Sequence, residues 1–289
     1  MILLDLSQVM LSTLHAQLQG HVVEVDENLL RHMILNTIRA NYKKFKSEFG
    51  ELIICTDSTN NWRKQNYPYY KANRKKGRDE SKLDWNAIFT SLNKIRDEIK
   101  DYFPYRVINV QSAEADDVIG TLCHKFGTEL GGEPILILSG DKDFKQLQKY
   151  SNVSQWDPTR KRSLRTNDPE GFLYEHIIRG DASDGIPNFL SSDDCLVTDE
   201  RQKSIMSKKL EVWLKQLKEV TYDQVFDDEK LLRGFKRNQF LIDLDYIPNI
   251  IQDEVIEQYN NEEGKTRTKM FNYFIKYKLK HLHESIGDF

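Results

Sequence analysis

Ile135-Leu136-Ile137-Leu138-Ser139-Gly140-Asp141-Lys142-Asp143-Phe144 holds an apolar run, a small-residue turn and two acids around a lysine. The branched apolar residues after Pro134 read as a buried strand of a parallel sheet. In an open α/β sheet the carboxyl ends of the strands line the ligand crevice. Acids placed there point into a site. The same pattern recurs where Ile2-Leu3-Leu4 meets Asp5 and where Leu52-Ile53-Ile54-Cys55-Thr56 meets Asp57. It returns where Tyr105 to Val110 leads into Ser112-Ala113-Glu114-Ala115-Asp116-Asp117. One acid after a strand reads as a helix cap. Several at one edge repel and raise each other's pKa, so the set predicts a bound divalent cation.

The chain has 289 residues and a formal net charge of −3, a length that fits about two domains. That charge argues against a nucleic-acid partner only as an average. Trp62 to Arg78 holds seven basic residues and no acid, interleaved with tyrosines and a tryptophan. Cations match phosphate and aromatic faces stack on bases; the plain alternative is a solvated polar helix or loop. Cys55, Cys123 and Cys195 stand apart, without zinc spacing or a disulfide framework. No stretch resembles a signal peptide or a membrane span, so a cytoplasmic location without membrane contact is expected.

Leu30, Ile34, Ile38, Tyr42 and Phe45 recur at helical spacing between a cap at Asp26 and a stop at Gly50. Ile88, Leu92, Ile95 and Ile99 mark a second helix, and Ser112 is the expected cap of a third that carries Glu114 and Asp116. Val153 to Thr166 reads as a hairpin around Asp157-Pro158, and a helix from about Glu170 stops at Gly180. Strand patterns end after Pro187, which places a domain shift near Gly180. Leu241 to Pro248 alternates apolar and acidic residues and reads as a strand or turn docked in the core. Met270 to Leu282 reads as a final helix with Phe271, Phe274, Ile275 and Leu279 on one side.

These motifs, in this order, resemble the flap endonuclease and 5′-nuclease superfamily, and within it the branch of T-even phage ribonuclease H. The likeness rests on Leu4-Asp5-Leu6-Ser7-Gln8, Cys55-Thr56-Asp57, Trp62-Arg63 with Tyr69-Tyr70-Lys71 and Arg74, and Glu114-Ala115-Asp116-Asp117. It continues through Ser139 to Phe144, Gly180-Asp181-Ala182-Ser183-Asp184, Leu241 to Pro248 and Ser285 to Phe289. It implies a mostly parallel α/β sheet flanked by helices in a nuclease domain (1–180) with a basic helical arch (62–82). A smaller helical domain (181–289) with a helix-turn-helix element would grip duplex backbone. Asp5, Asp57, Glu114 and Asp116 would surround one Mg2+, and Asp116, Asp141, Asp143, Asp181 and Asp184 a second, with Mn2+ as the substitute. Lys71, Arg74, Asp116 and Asp141 would carry catalysis. Arg63, Lys64, Tyr70, Lys71, Arg74, Lys75 and Lys76 would contact nucleic acid.

The implied activity is 5′→3′ exonuclease, flap endonuclease and ribonuclease H cleavage of DNA and RNA–DNA duplexes, with primer removal in phage replication. A monomer is expected, with a single-strand-binding protein or sliding clamp as candidate partners. One departure stands out: where many members carry a Gly-rich second turn, this chain reads Asn188-Phe189-Leu190-Ser191-Ser192-Asp193-Asp194. Three other readings compete. A haloacid-dehalogenase-type phosphatase needs an acid where Ser7 stands. A non-catalytic nucleic-acid module predicts lost carboxylates, and a PIN-type ribonuclease leaves the arch and the C-terminal helices unexplained.

Overall fold

The computed structural model describes residues 1–18, 26–74, 78, 83–128, 130–198, 200–261 and 266–289. Lys75 and Lys76 of the expected arch lie outside them. The strands are β1 (Ile2–Asp5), β2 (Leu52–Cys55), β3 (Arg106–Ile108), β4 (Ile135–Leu138), β5 (Val153–Asp157) and β6 (Arg162–Leu164). Helices α1 (Leu6–Leu18), α2 (Glu27–Phe49), α3 (Trp62–Asn66), α4 (Trp85–Tyr102) and α5 (Ala115–Phe126) lie between the strands. After the sheet come α6 (Pro169–Arg179), α7 (Ser207–Leu217), α8 (Tyr222–Val225), α9 (Glu229–Ile242), α10 (Asn249–Asn261), α11 (Thr268–Lys276) and α12 (Lys280–Glu284).

The sheet runs β3-β2-β1-β4-β5-β6, parallel except for β6, which returns from β5 as the expected hairpin. Every residue of β1, β2 and β4 is buried, as parallel strands covered on both faces require. From β1 the chain steps to β2 and β3, then crosses to the other side of β1 for β4. The carboxyl ends of β1 and β4 therefore flank a topological switch point, the usual place of a ligand crevice.

Alternation along the strands divides the core. Ile2, Leu4, Leu52, Ile54, Leu136 and Leu138 face α1, α2, α4 and the last two helices. Leu3, Ile53, Cys55, Ile135 and Ile137 face α5 and α10. A third cluster joins Tyr67 and Tyr70 to α6, α7 and α9. Elements beyond Gly180 thus contribute to all three clusters. The expected cap and stop of α2 are present: Asp26 accepts from the amides of Asn28 and Leu29, and Gly50 ends the helix at φ 77°. Leu210, Trp213 and Leu217 form the buried face of α7.

Two local expectations are corrected. Ser112 does not cap α5; Glu114 does, in a reciprocal capping box with Asp117, while Ser112 sits at φ 65°. The expected last helix is broken at Lys278, φ 55°, and its buried set is Met270, Tyr273, Phe274, Leu279 and Leu282. Phe271 and Ile275 are instead 49% and 58% exposed. The Tyr273 hydroxyl donates to Glu98 at 2.7 Å, and Glu98 accepts from the buried Arg31 at 2.7 Å. That polar anchor sets the rotation of α11, and apolar spacing carries no trace of it. The alternating Leu241 to Pro248 stretch is the end of α9 followed by a 3-10 turn (Leu244–Tyr246) docked on the core. Leu241, Ile242, Leu244 and Ile247 are buried; Asp243 accepts from the Asp245 amide, and Asp245 bonds Lys149 at 2.6 Å.

Candidate active site

Each strand end delivers its acid to the same edge. Asp5 closes β1, is 6% exposed, and accepts from Ser139 Oγ and the Gln8 amide, both at 3.0 Å. Asp57 lies two residues past β2 and accepts the Ala115 amide at 2.7 Å, which ties it to the start of α5. Asp116 sits in the first turn of α5. Asp141 follows β4 and accepts from the Asp143 amide at 3.0 Å, capping the 3-10 helix Lys142–Lys149.

Their electrostatics show charge without compensation. Burial, then the field of Asp57, pushes Asp5 up to about 7. Burial, then Asp141 and Glu114, holds Asp116 well above the usual carboxylate range. Burial and Asp143 raise Asp141 to about 6. The amino end of α5 favours the ionised form of Asp116, but desolvation and like charge outweigh it. Buried carboxylates that repel one another are hard oxygen donors of the kind that suit a divalent cation.

The other predicted acids are already paired. Glu114 accepts from Lys71 Nζ at 2.5 Å and from the Tyr70 hydroxyl at 2.8 Å, with Arg63 Nη1 at 3.4 Å. Those cations outweigh its burial and hold its carboxyl down at about 2. Asp184 accepts from Arg74 and from the Tyr70 hydroxyl at 3.1 Å, with Lys71 3.5 Å away. Asp181 pairs with Lys142 at 2.9 Å. The predicted set therefore divides into Asp5, Asp57, Asp116 and Asp141, for which no ion pair is found among the described residues, and Glu114, Asp143, Asp181 and Asp184, each of which faces a basic side chain. His176 escaped the sequence reading. It lies four residues before Gly180, in the last turn of α6, with Nε2 2.9 Å from Asp143.

The segment expected to meet nucleic acid is in large part core. Arg63 is 3% exposed, bonds Asp117 at 2.8 Å and donates Nε to the Leu241 carbonyl at 2.9 Å. It is the counter-ion of a buried carboxylate. Trp62, Tyr67 and Tyr70 are also buried, at 3%, 6% and 3% exposure, and cannot stack on bases. Their tryptophan and tyrosine rings supply the apolar area that orders the segment. Lys64 and Arg78 are exposed and Lys71 and Arg74 reach the carboxylates, so the cationic face survives in these four among the described residues.

The Gly180 turn holds that face in place. The Lys71 amide donates to the Asp184 carbonyl at 2.7 Å, and the Asn73 amide group to the Ala182 carbonyl at 2.7 Å. Gly185 has φ 74°, and a Cβ there would lie 2.4 Å from the Tyr69 carbonyl oxygen. Gly185→Ala is expected to destabilise the protein by about 1–3 kcal/mol and to loosen the Lys71 segment; urea unfolding and hydrogen exchange over residues 67–74 check both. The stretch expected as a helix-turn-helix takes a looser form: Ala182–Asp184 is one 3-10 turn, and the next described α-helix starts at Ser207.

Comparison with known proteins extends this picture. Residues 1–175 match the family model of the 5′-3′ exonuclease N-terminal resolvase-like domain, and residues 168–289 match T4 RNase H, C terminal. The chain belongs to the 5′-3′ exonuclease family. It is 35% identical to the Ribonuclease H of Enterobacteria phage T4 over 99% of this chain and 95% of that protein. It is 33% identical to the flap endonuclease Xni of a Shewanella species over 44% of this chain and 47% of that one. Among solved structures, T5 5′-exonuclease with divalent zinc ions bound superposes with TM-score 0.64 at 18% identity, covering 90% of this chain and 97% of that one. A T5 D15 flap endonuclease complex with DNA and metal ions gives TM-score 0.65 at 17% identity. Like its relatives, this 5′-3′ exonuclease family member is a nuclease. Membership displaces the phosphatase and non-catalytic readings. Among the described residues of this 5′-3′ exonuclease family member, no helix is long and apolar enough to cross a membrane.

Proposed function

We propose that the chain hydrolyses phosphodiesters at 5′ ends and 5′ flaps of RNA–DNA and DNA–DNA duplexes, with two Mg2+ ions, and removes RNA primers during phage DNA replication. The observation that carries this reading is the uncompensated group Asp5, Asp57, Asp116 and Asp141 beside the cations of Lys71 and Arg74. The four acids offer hard oxygen donors, which suit magnesium, and they would hold the ions together with Asp143, Asp181 and Asp184. Bound there, the ions would lower the pKa of water and offset charge on the phosphoryl oxygens. Lys71 pairs with Glu114 and Arg74 with Asp184, so cations stand beside the acid group and would meet an entering phosphate. With Lys64 they bind and orient the strand. Residues 181–289 bind the duplex beyond the cut, residues 1–180 cut it, and the protein acts as a monomer in the host cytoplasm alongside replication proteins.

A labelled series (blunt duplex, 5′ flap, 3′ flap, RNA-primed template) digested with magnesium tests the proposal. Cleavage from 5′ ends, abolished by chelator, is expected; equal cleavage in chelator or a strict 3′ preference would refute it. Lys71→Ala is expected to slow cleavage by about 10²-fold or more. Its melting temperature should stay close to that of the parent, because Arg63 and Tyr70 still hold Glu114. Stability and rate falling in parallel would make Lys71 a structural ion pair.

A further inference from the structure

Gln155 lies in the middle of β5, a strand paired on both sides by β4 and β6, and is 2% exposed. Its side-chain nitrogen donates to the Ser139 carbonyl at 2.9 Å and to the Asp141 carbonyl at 2.6 Å, which uses both of its hydrogens. Those two carbonyls bracket Gly140, the middle of the turn between β4 and the 3-10 helix Lys142–Lys149. The Gln155 oxygen faces the Gln148 amide group at 3.4 Å. Gln148 in turn bonds the Leu164 carbonyl and the Thr166 amide, both at 3.0 Å. The turn is also packed closely, since an added Cβ on Gly140 would meet the Asp157 and Gln8 side chains at 3.0 Å. One hydroxyl joins this turn to the acid group: Ser139 Oγ donates to Asp5 at 3.0 Å and accepts the Asp141 amide at 3.2 Å.

These bonds oppose a force. The charge of Asp141 raises the pKa of both Asp5 and Asp116, so the acids push the turn away from the sheet edge. Asp141 is exposed as a residue, and hydrogen bonds from its own backbone to Ser139 and Gln155 restrain it. We propose that Gln155 is a positioning residue for the metal site: it grips the carbonyls on both sides of Gly140 and so fixes the spacing of the Asp5 and Asp141 carboxylates. This role rests on the metal-dependent nuclease reading above, and in it Gln155 acts through Asp141. A buried amide that only satisfied two carbonyls would affect stability alone. One that fixes ligand spacing affects metal affinity, because donors already held in place lose less freedom when the ion binds.

Mn2+ binding to the full chain without nucleic acid, followed by electron paramagnetic resonance of the free ion, tests this role alongside metal-free melting curves. Gln155→Met keeps the length of the side chain and removes both donors. It is expected to bind Mn2+ more weakly than the parent by about tenfold or more. It should also need more Mg2+ for half-maximal cleavage, with the rate restored at saturating Mg2+. Gln146→Met is the control: Gln146 is buried too, but bonds the Ile242 carbonyl at 3.1 Å and the Leu244 amide at 2.9 Å. It should melt lower than the parent and bind Mn2+ equally well. If Gln155→Met does not fold, Gln155→Asn decides, because its shorter amide reaches at most one of the carbonyls and should weaken Mn2+ binding less. Parental Mn2+ affinity in a folded Gln155 variant, or equal weakening in Gln146→Met, overturns the role. Parental affinity in the variant together with magnesium-dependent cleavage by the wild type removes this role and leaves the nuclease reading standing. Weakened Mn2+ binding in the variant without metal-dependent cleavage by the wild type does the reverse.

Discussion

Asp141→Asn is expected to abolish magnesium-dependent cleavage and at the same time to stabilise the metal-free protein by about 0.5–2 kcal/mol, the range typical when functional strain is relieved. Asp141 adds its charge to Asp5 and to Asp116 and is itself raised to about 6. The residue as a whole is open to solvent although its carboxyl faces the other acids, so solvent screens part of the penalty and the figure stays modest. The asparagine keeps the oxygen that accepts the Asp143 amide, so the local cap survives the change. The pH dependence follows from the direction of the shifts. Asp5 and Asp141 bind protons more tightly folded than unfolded, so protonation favours the folded state. That contribution is complete below the ordinary carboxylate pKa near 4. It is lost as pH rises through about 6 for Asp141 and about 7 for Asp5. Metal-free wild type is therefore expected to melt lower at pH 8 than at pH 5, with a smaller difference in the variant. Magnesium should raise the wild-type melting temperature more than the variant's, because binding only the native state adds stability by mass action. Melting curves at both pH values, with and without magnesium, check this. A destabilised metal-free Asp141→Asn protein would mean that the acids are held by internal hydrogen bonds.

Arg63→Leu is expected to cost about 3–5 kcal/mol of stability, the loss typical when one partner of a buried ion pair is removed. Asp117 is fully buried, and burial already raises its pKa against the pull of Arg63, so without the guanidinium its charge is stranded. The Trp62 indole still donates to it at 3.1 Å, as does the Glu114 amide at 2.8 Å. Those bonds limit the loss but bring no positive charge. Glu114 also loses a neighbour 3.4 Å away. Denaturant unfolding measures the loss, and cleavage on the same preparation separates it from function. A variant that folds as well as the parent but binds duplex weakly would return Arg63 to the nucleic-acid interface.

The contrast between Asp141 and Arg63 shows how far sequence reached. β1, β2 and β4 were legible because residues buried on both faces leave uninterrupted apolar runs, and each run ends at a small-residue or acidic break. Those breaks located the acids, since a parallel sheet must bring its carboxyl ends to one edge. The cap and stop of α2, the β5–β6 hairpin and the Gly180 stop were legible for the same reason: they are local chemistry.

What sequence did not decide was which charges are partnered. Arg63 and Lys71 are both cations in one basic stretch, yet one is enclosed against Asp117 and the other reaches into the acid group. That difference depends on α9 supplying the Leu241 carbonyl to Arg63 from far along the chain. His176 meets Asp143 only because α6 packs against the 3-10 helix after β4. The rotation of α11 likewise follows from the bond between Tyr273 and Glu98. Each is a contact between residues remote in sequence, and periodicity records only which side of an element is apolar. Local pattern placed the carboxylates at the sheet edge; long-range packing chose which of them remain without a counter-ion.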